Sequence, residues 1–414
     1  MLAIEKPLYR MLGITVTAFF LFAFLSDGIV GSFTGFLSLQ FHPARLINDY
    51  TIIGGVGGAL FNAALMGFLS ALIVKLSGVR LSGPTIAAVY TIMGFALFGK
   101  TPLNSFPIIA GVFIAGRIAN KPFKNYILFA LFGTALGPVV SYLIAEAGLS
   151  NEAGLVLGLL AGLGTGIVLP AIGMAMLRMH EGYNLYNIGL TAGFFGLFLA
   201  GIFRATARDV AIKVIWSTEH SVYLLLLIPL LCILFLIWGL MVDSGSRLAN
   251  QKNLWKETGR LPSDFIDSQG LGVTLINIGI LGLVASAYMY VVGAPFNGPT
   301  LGGLMTLMGF GAFGKHLKNV VPIFIGVIFA TLLFDKSLVA PGPILAFLFA
   351  TTLAPLAGEF GPLVGFAAGF VHLFMVEQTG AWHAGLDLYN NGFAGGLTAT
   401  LFVAIIQWLK VNRD

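Results

Sequence analysis

Apolar runs long enough to cross a lipid bilayer dominate the chain, and short polar breaks separate them. A helix needs about 20 apolar residues to span the hydrocarbon. Runs of that kind lie at 9–30, 52–76, 125–147, 152–177, 221–241, 273–292, 344–358 with its flanks, and 362–376. Shorter runs at 106–118 and 321–333 are also expected to span. The pattern predicts an all-α integral membrane protein. Lys6 and Arg10 precede the first run, and no small-residue cleavage pattern follows, so 11–24 is expected as the core of a retained first span.

Composition fits this reading. The 414 residues are 57% hydrophobic and only 9% charged, too few charges to cover a soluble surface. The net charge of +5 sits in short loops between apolar runs, so it reads as topology and excludes nucleic acid as a partner. A single cysteine, Cys232 within the run 223–241, rules out a disulfide inside the chain and a thiolate metal cluster. No metal or cofactor is expected. The one long polar stretch, 243–269, carries Arg247, Lys252, Trp255, Lys256 and Arg260. It reads as a basic cytoplasmic linker, with the N-terminus on the same side of the cell membrane.

The chain repeats itself. Residues 83–121 align without a gap on 298–336 at an offset of 215 (298 − 83), and 17 of the 39 positions are identical. Matched Gly83/Gly298, Pro84/Pro299, Lys100/Lys315 and Pro107/Pro322 go beyond shared hydrophobicity. A second block, H-x-G-x-[ND]-L-Y-N-x-G-x-x-x-G, starts at His180 and again at His383, an offset of 203 (383 − 180). The 12-residue change (215 − 203) is placed in the loop at 147–152. The expected organisation is a first membrane repeat over 1–242, whose last run 221–241 already begins the second repeat, the linker 243–269, and the remainder of the second repeat over 270–414. Each repeat is expected to hold about five full spans plus Gly- and Pro-broken, re-entrant half-membrane helices. Five or seven passes is an odd number, which predicts inverted repeats.

Two paired regions carry candidate chemistry. Gly83-Pro84-Thr85 and Gly298-Pro299-Thr300 read as starts of helices inside the membrane, since proline suits the first helical turn. Their free N–H groups need a ligand, water or another protein group. In the second block His180, Asn184, Tyr186 and Asn187 match His383, Asp387, Tyr389 and Asn390. Polar side chains are costly in lipid unless they pair or bind something, and amide and phenol groups suit a neutral polar solute. The alternative reading of the block is a cap on a broken helix. Asn184 aligns with Asp387, so one half carries an ionisable group that the other lacks. Thr85, Thr300 and the block are expected along the solute path, Phe95, Phe310, Tyr186 and Tyr389 as constrictions, and Gly83, Pro84, Gly298, Pro299, Gly189 and Gly392 as backbone-shaping positions. His372 and Glu377 break the symmetry; a pair between Glu377 and His372 or His383 is a weaker expectation.

At the L-Y-N-x-G block the chain resembles an uncharacterised family of bacterial membrane proteins with two tandem copies of one domain. More distantly, the segments from Leu185 to Gly193 and from Leu388 to Gly396 are similar to the pore-lining half-helices of urea transporters. That resemblance implies inverted five-span repeats, a trimer and a channel-like path for a neutral amide. The twin histidines are similar in plan to those of ammonium transporters. The expected function is a channel or transporter for a small polar solute. The alternatives are an H⁺- or Na⁺-coupled carrier for a small anion or metabolite, an accessory subunit, or a membrane-embedded enzyme. No phosphate-binding loop, H-E-x-x-H or G-x-S-x-G is present, and an enzyme is not expected. Gly-rich faces allow a homo-oligomer, a dimer or trimer.

Overall fold

The computed structural model describes residues 5–206, 212, 214–242 and 247–412, without the side chains of 247–249. The first four residues of the expected linker, 243–246, lie outside it. Apart from one isolated bridge between Asn48 and Ile215, the described structure is helical. In the first repeat the main helices are α1 (Glu5–Gln40), α2 (Gly55–Leu76), α3 (Gly83–Phe95), α4 (Pro102–Ile118), α5 (Phe123–Ala145), α6 (Asn151–His180) and α7 (Asn187–Ala205). The second repeat follows the same order with α8 (Val222–Val242), α9 (Leu271–Val292), α10 (Gly298–Phe310), α11 (Leu317–Leu333), α12 (Pro341–Phe360), α13 (Pro362–Trp382) and α14 (Asn390–Val411). Ten of these are long and apolar enough to cross a membrane; α3, α4, α10 and α11 are shorter apolar helices. The protein is therefore a multi-pass membrane protein.

Local chemistry fixes the breaks. Helices α3 and α10 begin with reciprocal caps: the Ser82 N–H donates to Thr85 Oγ1 (2.8 Å) and the Asn297 N–H to Thr300 Oγ1 (2.9 Å). Helices α4 and α11 begin the same way, with Thr101/Asn104 and His316/Asn319. Such boxes satisfy orphan donors where no water is available. Helices α5 and α12 each pass through a short 3₁₀ stretch, Thr134–Leu136 and Ala350–Leu353. Helix α6 has 30 residues and α13 has 21, so most of the change in repeat offset lies within that helix. The loop expected to hold it supplies only the smaller part.

Apolar side chains such as Leu25, Phe33, Phe68, Leu160, Phe198 and Ile405 cover the outside, the surface that lipid wets. The two repeats meet inside. Helices α3 and α10 run antiparallel, the start of each beside the end of the other: Gly83 abuts the Ala312 carbonyl and Gly298 the Leu97 carbonyl. Their backbones nearly touch, because a Cβ on Gly94 would lie 2.7 Å from the Gly302 oxygen. The first turns of α7 and α14 cross in the same way, with a Cβ on Gly189 only 2.7 Å from the Gly392 Cα.

Candidate functional site

The α3–α10 core carries a lysine at each end. In the turn after α3, Asn62 Nδ2 donates to the carbonyls of Ala96 and Lys100, both at 2.7 Å. Asn277 does the same for Gly311 (2.8 Å) and Lys315 (2.7 Å) after α10. So braced, each buried lysine reaches a tyrosine of the other repeat. Lys100 Nζ donates to Tyr389 Oη and to Thr134 Oγ1 (2.7 Å). Lys315 Nζ donates to Tyr186 Oη and to Thr351 Oγ1 (2.8 Å). The lysine Nζ atoms lie 4.3 Å and 4.4 Å from the Tyr389 and Tyr186 ring centres, the distance range of a cation–π contact. Among the described residues neither has a carboxylate at ion-pair distance.

Six aromatic rings close a circle between the lysines. Going round, centroid separations are Phe95–Tyr389 4.5 Å, Tyr389–Phe132 6.4 Å, Phe132–Phe310 6.0 Å, Phe310–Tyr186 4.7 Å, Tyr186–Phe349 6.5 Å and Phe349–Phe95 5.4 Å. Each position has its counterpart in the other repeat. A cavity of about 610 Å³ reaches this circle from the linker side. Arg178, Glu181, Leu261, Pro262 and Ser263 line its mouth, and Phe95, Tyr186, Phe310, Phe349 and Tyr389 its floor.

Of the residues singled out from sequence, Phe95, Phe310, Tyr186, Tyr389, Asn187, Pro84, Gly189 and Gly392 line this cavity. His180, Asn184, His383, Asp387, Asn390, Thr85, Thr300, Gly83, Gly298 and Pro299 are not on its wall. The H-x-G-x-[ND]-L-Y-N block is a self-closed turn. The Asn184 N–H donates to His180 Nδ1 (3.2 Å), which leaves Nε2 as the N–H that meets Asn187 Oδ1 (3.0 Å). The second copy repeats this with Asp387, His383 (3.3 Å) and Asn390 (3.0 Å). Both imidazoles are buried and fully engaged within the turn that carries the tyrosines. They brace that turn and do not cap the helices that follow, whose starts have no side-chain cap. Thr85 and Thr300 are spent on their capping boxes. Glu377 pairs with Lys336 (3.1 Å) rather than with a histidine, and His372 Nε2 meets Asn391 Oδ1 (3.0 Å).

The N–H groups at the starts of α3 and α10, expected to meet a ligand, water or another protein group, meet carboxylates of the opposite repeat. Gly83 N–H donates to Asp264 Oδ2 (3.0 Å) and Gly298 N–H to Asp49 Oδ1 (3.1 Å). Burial pushes both carboxyls above their usual range, and the N–H groups they accept pull them back. Asp49/Asp264, Asn62/Asn277 and Arg45/Arg260 all obey the 215-residue offset (264 − 49, 277 − 62, 260 − 45). Extending the alignment N-terminally from residue 83 reaches them. Lys100 and Lys315 were visible as a repeat match but not as a site.

Arg45 and Arg260 flank the core on opposite sides. Arg45 is 1% exposed; its Nε donates to Glu146 Oε2 (3.0 Å), and its Nη1 to the Ala384 carbonyl (3.3 Å). Arg260 is 36% exposed; its Nε donates to the Glu181 carbonyl (2.8 Å), and Glu181 and Glu359 stand 3.5 and 3.8 Å from its Nη atoms. Ala384 and Glu181 are themselves counterparts (384 − 181 = 203).

No curated protein and no solved structure matches the chain. One family model matches twice, over residues 30–205 and 244–408, most of the sequence and one match per repeat. The chain belongs to this family, described as protein of unknown function (DUF1576), and contains two tandem copies of its domain.

Proposed function

We propose that this protein is a membrane transporter for a small anionic solute, which passes through the aromatic circle by alternating access between two inverted repeats. The observation that carries this reading is the circle itself, with a carboxylate-free lysine at each pole and a cavity leading to it from one side. Two buried lysine amines would be costly to protonate alone, and an anion between them would offset that cost. Each tyrosine oxygen accepts from a lysine, so its own O–H proton remains free to give to a ligand. A neutral amide, as in the urea-transporter-like reading, would use the tyrosines but leave the lysines uncompensated. The reading is of a carrier and not of an enzyme.

Antiparallel packing of the equivalent helices α3 and α10 supports inversion. Counting α3 and α4 as passes gives seven per repeat, an odd number, which puts the N-terminus and linker on one side. That side also carries Lys75, Arg80, Arg117, Lys121, Lys124 and Arg178, the excess expected of the cytoplasmic face. The cavity then opens inward, with Arg45 and Glu146 closing the outer side.

The test is uptake into proteoliposomes of nitrate, phosphate, formate and acetate, with urea as the neutral comparison. Flux of one anion should fall about tenfold or more in Lys100→Met and in Lys315→Met, the loss expected for a charge-assisted contact. Flux of urea alone, unchanged by either substitution, would replace the anion reading with a neutral one.

A further inference from the structure

The two halves of the site differ at two neighbouring buried positions. In the first repeat Asn184 Oδ1 accepts from the Tyr186 N–H (3.2 Å) and from Thr352 Oγ1 (2.5 Å). Its Nδ2 donates to the Gly392 carbonyl (3.1 Å). In the second repeat Asp387 Oδ1 accepts from the Tyr389 N–H (2.8 Å), while Oδ2 is buried and has no partner. Ala135 stands where Thr352 stands in the other half, since the Leu388 N–H donates to Ala135 as the Leu185 N–H does to Thr352, both at 3.0 Å. The counterpart of the Gly392 carbonyl is that of Gly189 (392 − 203), and both glycines line the cavity. A carboxylate offers only lone pairs to a carbonyl. A carboxylic acid has an O–H to give and can copy the asparagine contact.

We propose, resting on the transport reading above, that Asp387 is a proton-binding site that couples solute movement to protons. With its proton on, Oδ2–H donates toward the Gly189 carbonyl. With the proton passed to a water molecule on the solute path in another state of the cycle, the Oδ2–H bond breaks and its electron pair stays on the carboxylate, which is linked through Tyr389 to the Lys100 amine. The other titratable neighbours are Tyr389, which gives Asp387 its backbone N–H, and His383, whose Nδ1 is occupied by the Asp387 N–H. Helix α7 packs against this turn through Gly196, and its only ionisable residue, Arg204, is about two turns further on. One proton site in one repeat would give an otherwise two-fold pathway a direction.

Infrared titration of the purified full chain tests protonation without any solute. The carbonyl band of a buried carboxylic acid should persist at a pH where exposed carboxylates are ionised. It should vanish in Asp387→Asn, move in Asp387→Glu and survive in Glu359→Gln. Asp387→Asn copies the residue of the first repeat, so it should fold; a wild-type band unchanged in that variant would overturn the proposal. Coupling is read in vesicles holding a pH-sensitive dye, with nitrate and phosphate as probes. The ratio of protons to anions moved should drop about tenfold or more in Asp387→Asn. Anion flux with an unchanged ratio would overturn coupling and leave transport standing. A band lost in Asp387→Asn with no anion flux in wild type would keep the protonated Asp387 and overturn the transport reading.

Discussion

Arg45 and Arg260 hold equivalent places in the two repeats and end in opposite conditions. Arg45 is buried against Glu146, its guanidinium stacked 4.6 Å from the Tyr142 ring centre. Arg260 stacks on Tyr183 at 4.2 Å but stays in contact with water, between two glutamates at the edge of ion-pair distance. The same side chain and backbone acceptor are thus tightened on one side and loosened on the other, while the tyrosine and glutamate partners come from non-equivalent positions of the two repeats. Equivalent arginines in unlike states are what the proposed alternating-access cycle predicts for one of its ends. The difference teaches that the repeats agree in parts and disagree in conformation, and that the disagreement falls at the mouths and not at the α3–α10 core.

The largest effect expected from this contrast is on stability. Glu146→Gln strips the countercharge from a buried guanidinium and should cost about 3 kcal/mol. Glu359→Gln, opposite a partly solvated one, should cost less than about 1 kcal/mol. Thermal unfolding of the two variants in the same detergent compares them, and equal losses would break the contrast. Next is a pH effect confined to the linker side. His316 caps α11 where Thr101 caps α4, and burial holds its imidazole down at about 4. The unfolded chain, with the ordinary value of 6.5, takes up the proton first, so stability is complete above 6.5 and is lost as pH falls toward 4. About 2 kcal/mol should go between pH 6.5 and about pH 5, and His316→Thr should flatten that slope. The smallest effect concerns a contact the repeats share. Gly189→Ala and Gly392→Ala each push a methyl against the other's backbone, at 2.7 and 2.9 Å, and each should cost about 1–2 kcal/mol. Losses that differ widely between the two would argue against a common two-fold contact.

Much of this was legible in the chain because the duplication was. Eight of the ten spans follow from apolar length alone. The other two, α7 and α14, read in sequence as Gly-broken half-membrane helices but are 19 and 22 residues long. Tyr186, Tyr389, Phe95 and Phe310 follow from matching aromatic positions. The histidines were harder. In sequence, His180 and His383 have the look of pore residues, yet three-dimensional closure of the turn spends both ring nitrogens on Asn184, Asp387, Asn187 and Asn390. Nothing in one-dimensional spacing distinguishes a ligand-facing imidazole from one that braces its own loop. Lys100 and Lys315 stand at the ends of apolar runs, where a snorkelling lysine is the ordinary expectation. Only the fold turns them inward, onto tyrosines supplied by the opposite repeat. Asp49 and Asp264 were hidden for a similar reason, since each caps a helix that belongs to the other half.

Side-specific labelling of single cysteines, in a Cys232→Ala background, tests alternating access most directly. Ser263 lines the cavity on the linker side, and its counterpart Asn48 (263 − 48 = 215) is buried. Without solute, Ser263→Cys should react from the linker side and Asn48→Cys should be protected. With the transported anion present, Asn48→Cys should become reactive from the opposite side while Ser263→Cys slows. If the two cysteines react equally in every condition, or Asn48→Cys never opens in a protein that carries flux, the two-state account is wrong.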